Sequence, residues 1–106
     1  MDNDTAEAIY NEMQAIFGRN GLDPVPCGYS HGGRGVWYYE FHMKAGHYTK
    51  TSIPMDMVLK DCTYSFIKRK IPLDGSGFSW VGDDWWFMHF IVVDYKPGLL
   101  ERLRRR

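Results

Sequence analysis

The longest apolar run of the chain, residues 85–93, reads Trp-Trp-Phe-Met-His-Phe-Ile-Val-Val and is broken only by His89. It is well short of the ~20 residues a membrane helix requires. Its rings and β-branched side chains favour a strand. The run is apolar at odd and even positions alike, so the strand, drawn over 85–95, belongs in the middle of a sheet, covered on both sides for part of its length. A second ring-rich run, Trp37-Tyr38-Tyr39-Glu40-Phe41-His42-Met43, also reads as a strand. A chain built around two such runs has to form a sheet, and the remaining segments must cover it.

Two amphipathic stretches supply the cover. The first is a helix over 5–19, with Asp4 as N-cap and Glu7 three residues on in a capping-box-like pair. Ile9, Met13, Ile16 and Phe17 make its apolar stripe, and Gly18, Asn20 and Gly21 end it. The second runs over 54–70 from Pro54, with Met55, Val58, Leu59, Cys62 and Phe66 as the stripe. Lys68, Arg69 and Lys70 fill its last turn, at the negative end of the helix dipole, and Pro72 follows.

The glycine- and proline-rich stretch 21–35 and the glycine-containing stretch 73–77 read as loops. The strand 35–43 pairs, in this reading, with a return strand over 47–53 through a three-residue loop, Lys44-Ala45-Gly46. That register sets Glu40 opposite Lys50 and Trp37 opposite Ile53. Trp37, Tyr39, Phe41 and Met43 then share the core face. The other face carries Val36, Tyr38, Glu40 and His42 with Tyr48, Lys50 and Ser52. A short strand over 78–81 makes a second hairpin with 85–95, and Pro97 opens a helical tail with Leu99, Leu100 and Leu103. The expected fold is α+β, in the order α-β-β-α-β-β-α. It is a single domain over 1–106: a four-stranded, mostly antiparallel sheet with two main helices on one face and a short C-terminal helix.

Hydrophobic content of 44% and charged content of 25% are those of an ordinary globular chain. Aromatic content is 16%, from four Trp, seven Tyr and six Phe. That is more than a core this small comfortably hides, so some rings are expected at the surface, where they serve as binding anchors. Net charge is zero but uneven. Residues 1–43 hold six acids and two bases, and residues 44–106 hold seven acids and eleven bases. No basic leader precedes an apolar run at the N-terminus, so no secretory signal is expected. Cys27 and Cys62 lack the spacing of a metal or redox pair, and Cys62 falls on the helical stripe as a buried thiol. A cytoplasmic location is expected.

No catalytic, metal or nucleotide motif stands out. His31, His42, His47 and His89 show no ligand spacing, so no metal and no cofactor is expected. Residues 30–35, Ser-His-Gly-Gly-Arg-Gly, are glycine-rich but lack the preceding strand and following helix of a phosphate cradle. Three functional classes remain. A non-enzymatic binding protein, an inhibitor or adaptor of the kind phages and mobile elements encode, would dock through Asp83, Asp84, Trp85, Trp86, Tyr38 and Tyr48. Its protein partner would present a basic surface, and a second copy of the chain is an alternative occupant. A metal-independent ribonuclease of toxin type would use His42, Glu40, Tyr48 and Lys50. A nucleic-acid-binding module would use Lys68, Arg69, Lys70, Arg102, Arg104, Arg105 and Arg106. The neutral total charge speaks against that third class. The binding protein is the leading expectation.

Overall fold

The structure, a computed structural model, describes residues 1–25, 27–32, 35–44, 55–82 and 85–93. Helix α1 spans Asn3–Arg19, and strands β1 (Cys27–Gly32) and β2 (Val36–Lys44) follow. Helix α2 spans Met55–Ile67 and leads to β3 (Leu73–Trp80) and β4 (Trp85–Val93). The four strands form one antiparallel sheet in the order β1-β2-β4-β3. The expected α+β architecture is present, with β2 and β4 at its centre. The expected C-terminal helix lies outside the described residues.

Both helices close on local chemistry. Asp2, rather than Asp4, caps α1: its carboxylate accepts the Thr5 amide hydrogen at 2.7 Å, which lowers its pKa. Asp4 instead sits in the first turn, where the dipole favours an acid. At the other end Gly21 takes φ 72°, and the Leu22 amide reaches back to the Phe17 carbonyl at 2.9 Å. This is a Schellman closure, and Leu22 drops into the core behind it.

The α2 helix stops at Ile67 rather than at residue 70, because its last turn closes in the same way. Lys70 adopts φ 58° and the Ile71 amide bonds the Phe66 carbonyl at 3.0 Å. Arg69 Nη1 donates to the Ser65 carbonyl at 2.7 Å, satisfying one of the end carbonyls.

Both helices pack on the face formed by Trp37, Tyr39, Phe41 and Met43 of β2 and Met88, Phe90 and Val92 of β4, all buried. Rings dominate this layer. Phe17 and Phe41 centroids lie 4.7 Å apart, Phe66 meets Tyr39 edge-on at 5.3 Å, and Phe66 and Phe90 lie 5.5 Å apart. Tyr39 donates its hydroxyl hydrogen to the Ala6 carbonyl at 2.8 Å, and burial pushes its pKa well up. Glu12 of α1 pairs with Arg69 and Lys68 just beyond α2, and the Arg69 guanidinium above all holds its carboxyl below the usual range. Cys62 is buried, its thiol pushed up to about 12 by desolvation, and neither cysteine forms a disulfide. No described helix is long and apolar enough to cross a membrane.

Three expectations need correction. Residues 27–32 are a strand, not loop, and so are 73–77, the first part of β3. Their glycines are not breakers. Gly32, Gly75 and Gly77 are floor positions beneath side chains of the central strands. A Cβ on Gly32 would meet Tyr38 Cε2 at 2.9 Å, one on Gly77 would meet His89 Cε1 at 3.5 Å, and one on Gly75 would meet Ile91 Cδ1 at 3.8 Å.

The third correction is to the pairing of β2. Residues 47–53 lie outside the described residues, but both edges of β2 are already taken. Glu40 faces Gly28 on β1 and His89 on β4, while Trp37 faces His31 and Val92. A strand has only two hydrogen-bonding edges, so β2 takes the cross-strand partners of Glu40 and Trp37 from β1 and β4.

Candidate functional site

Strand alternation leaves a second sheet face, on the side away from both described helices. Its centre is made by Tyr38, Glu40 and His42 of β2 and by Phe87, His89 and Ile91 of β4. The register sets Tyr38 across from Ile91, Glu40 across from His89 and His42 across from Phe87. Trp85 and Lys44 face each other at one end. The His42 and Phe87 rings lie 4.8 Å apart, and Phe87 and His89 are stacked at 5.5 Å with planes 16° apart. Tyr38 is 40% exposed, the highest exposure of any ring on this face. His89 Nδ1 is shut off from solvent with no hydrogen-bond partner.

The flanking strands present almost no side chain to this face. Gly28, Ser30 and Gly32 do so on β1, and Gly75, Gly77 and Ser79 on β3, each as the partner of a central-strand residue. The rings and Ile91 can therefore lie over the edges instead of standing upright. Two shallow depressions result. One, about 260 Å³, lies over β1 and is lined by Gly28, Ser30, Tyr38, Glu40 and His42. The other, about 300 Å³, is lined by Tyr38, Glu40, Phe87, His89 and Ile91. Glu40 and Tyr38 border both. A larger hollow of about 690 Å³ runs between α1 and α2 on the other side of the molecule. It is lined by apolar groups such as Ile16 and Leu59 with charges of both signs, Arg19, Lys60 and Asp61 among them. Glu12 and Lys68 also line it and already pair with each other, as in a solvated groove between two surface helices.

The sequence-derived sites divide accordingly. Tyr38 and Trp85 lie on the open face, whereas Trp86 points to the helical side. There it packs on Phe78 at 5.4 Å and Trp80 at 5.2 Å, its Nε1 buried without a hydrogen-bond partner. Asp83, Asp84 and Tyr48 lie outside the described residues. Of the ribonuclease set, Glu40 and His42 share the open face as expected, and Tyr48 and Lys50 lie outside the described residues. Lys68 and Arg69 are engaged by Glu12, and Lys70 is exposed at the helix closure. Arg102, Arg104, Arg105 and Arg106 lie outside the described residues. Residues 30–32 belong to β1, and a strand follows them rather than a helix.

Phe87, His89 and Ile91 were missed as site residues. Their shared odd-numbered positions along residues 85–93 put them on one face, but a run apolar at odd and even positions alike does not mark that face as the one away from the helices. Among the described residues no three His, Cys, Asp or Glu side chains group to hold a metal ion. The chain matches no protein-family model, no curated protein and no solved structure.

Proposed function

We propose that this protein is a small non-enzymatic binding protein, an inhibitor or adaptor that occupies a surface of another protein with the open face of its sheet. The observation that carries this reading is a ring-rich sheet face, with Tyr38 40% exposed, on the side away from both described helices. Large rings on a flat, rigid face are the groups that dominate interface energetics. The carboxylate of Glu40 at the centre of the face disfavours a nucleic acid, whose phosphates it repels. Two unpaired thiols suit a cytoplasmic setting.

Tagged wild-type protein, Tyr38→Ala and Tyr64→Ala are compared in capture from the native host, with melting temperatures measured alongside. Tyr64 is 60% exposed on α2 and serves as the control ring. An anchor is worth about 2 kcal/mol or more, on the order of thirty-fold in affinity. The same protein should therefore be lost from Tyr38→Ala and retained by Tyr64→Ala at unchanged melting temperature. Loss only from Tyr64→Ala moves the docking surface to the helices and refutes the reading.

A second reading, a metal-independent ribonuclease, is favoured by one observation. His42, Glu40 and His89 share the open face, with Glu40 and His89 directly paired across strands. Its test is cleavage of single-stranded RNA by wild type against His42→Ala and His89→Ala. Equal rates in all three would remove it.

A further inference from the structure

We infer that Glu40 is the base of a site for a single arginine side chain presented by the protein partner. The inference rests on the reading of the open face as a docking surface and specifies what that surface recognises. Glu40 is exposed, and among the described residues no cation pairs with it. Lys68 and Arg69 are held by Glu12 beside the helices. Lys44 shares the open face but stands four residues along β2, about 13 Å away at strand spacing.

What surrounds the carboxylate is aromatic. Tyr38 and His42 flank it along β2, His89 lies across from it, and Phe87 and Ile91 sit on the diagonals. On its other side stands Gly28, where an added Cβ would meet nothing within 4 Å. The carboxylate therefore borders open space with Tyr38 and His42 on the rim.

This combination fits a guanidinium better than other ligands. The hollow over β1, about 260 Å³, has room for the end of one side chain. A lone carboxylate is too few ligands for a metal. A planar cation can lie against the rings while its N–H groups pair with the carboxylate. Arginine does both, whereas lysine is a compact and strongly hydrated charge. Arginine is also among the residues most enriched at interface hot spots.

The test is a titration of the ¹⁵N-labelled full chain, followed by amide chemical shifts. The probes are N-acetyl-arginine amide and its uncharged near-isostere N-acetyl-citrulline amide. Saturable shifts at Gly28, Tyr38, Glu40 and His42 are expected with the arginine probe, and binding of the citrulline probe should be at least tenfold weaker. Glu40→Gln should reduce the arginine response to the citrulline level. Gly28→Val keeps the carboxylate but fills the hollow, and should abolish the response while the amides of α1 and α2 keep their positions. Equal responses to both probes, or arginine shifts that persist in Glu40→Gln, overturn the inference. If the arginine probe fails while partner capture still depends on Tyr38, the docking face stands and the arginine site does not. If capture proves independent of Tyr38 while the probe binds as expected, the site stands and the docking reading falls.

Discussion

The closure of α2 places a lysine where the backbone favours glycine. Lys70 has φ 58°, the only non-glycine residue with positive φ among those described, and its side chain is exposed. The left-handed conformation costs a residue with a Cβ roughly 1–2 kcal/mol. Glycine removes that strain but adds about 0.4–1 kcal/mol of unfolded-state freedom. Lys70→Gly should therefore stabilise the protein by about 0.5–1 kcal/mol, raising the melting temperature by about 2–8 °C for a domain near this size. The turn itself is unchanged, since the Ile71 amide still reaches the Phe66 carbonyl. Lys70→Ala is the control: it removes the charge but keeps the strain, and should shift stability by no more than about 0.5 kcal/mol. Urea unfolding of the three proteins, read by tryptophan fluorescence with a shared slope, gives the differences directly. If Lys70→Gly is neutral or destabilising while Lys70→Ala is neutral, the left-handed turn is not where the strain lies and the reasoning fails.

Tyr39→Phe removes the buried hydroxyl that donates to the Ala6 carbonyl and should cost about 1 kcal/mol in the same unfolding assay; no measurable loss would show that this bond does not tie α1 to the sheet. Glu12 has a folded pKa below its usual 4.5, chiefly through Arg69 and then Lys68. Its contribution is therefore present above 4.5 and is lost as pH falls through the lowered folded value. Because the pair is partly exposed, the contribution should stay below about 1 kcal/mol. The stability difference between wild type and Glu12→Gln should shrink from pH 7 towards about pH 2, and a difference constant with pH would exclude the ion pair as its source.

Periodicity made the helical side of the fold legible. Ile9, Met13, Ile16 and Phe17 on α1, and Met55, Val58, Cys62 and Phe66 on α2, are buried as their spacing requires. So are Trp37, Tyr39, Phe41 and Met43, because alternation fixes which side chains share a face whatever the strand pairs with. Pairing itself was not legible. Glu40 opposite Lys50 is a favourable local match, yet β2 takes its partners from residues 27–32 and 85–93, and sequence distance carries no trace of that choice. The glycines misled for a related reason. Gly32 and Gly77 look like breaks when read along the chain, but they lie beneath Tyr38 and His89 of neighbouring strands, and at Gly32 an added Cβ would crowd the Tyr38 ring. On the β4 half of the open face Trp85 stands out in the sequence, whereas Phe87, His89 and Ile91 do not, because a run apolar on both sides does not reveal which side the helices take.

A ring-bearing face that no described helix covers carries a risk of self-association, and Glu40 bears on that risk directly. Two copies meeting face to face about a two-fold axis through this patch would bring Glu40 against its own counterpart. Among the described residues the nearest same-face cation, Lys44, stands four positions away along β2. Two carboxylates meeting among rings lose hydration and gain repulsion, a pairing that costs several kcal/mol across an interface. The same carboxylate against an arginine reverses that sign. A single acid at the centre of Tyr38, His42, Phe87 and His89 therefore penalises the homodimer through this face and favours a cationic partner. On this argument Glu40→Gln should weaken capture of a partner and strengthen self-association through the face, two opposite effects of one substitution. Sedimentation of wild type and Glu40→Gln over a concentration series checks the second effect. A variant that stays as monomeric as wild type, or a wild type already dimeric through this face, would show that Glu40 does not exclude a second copy.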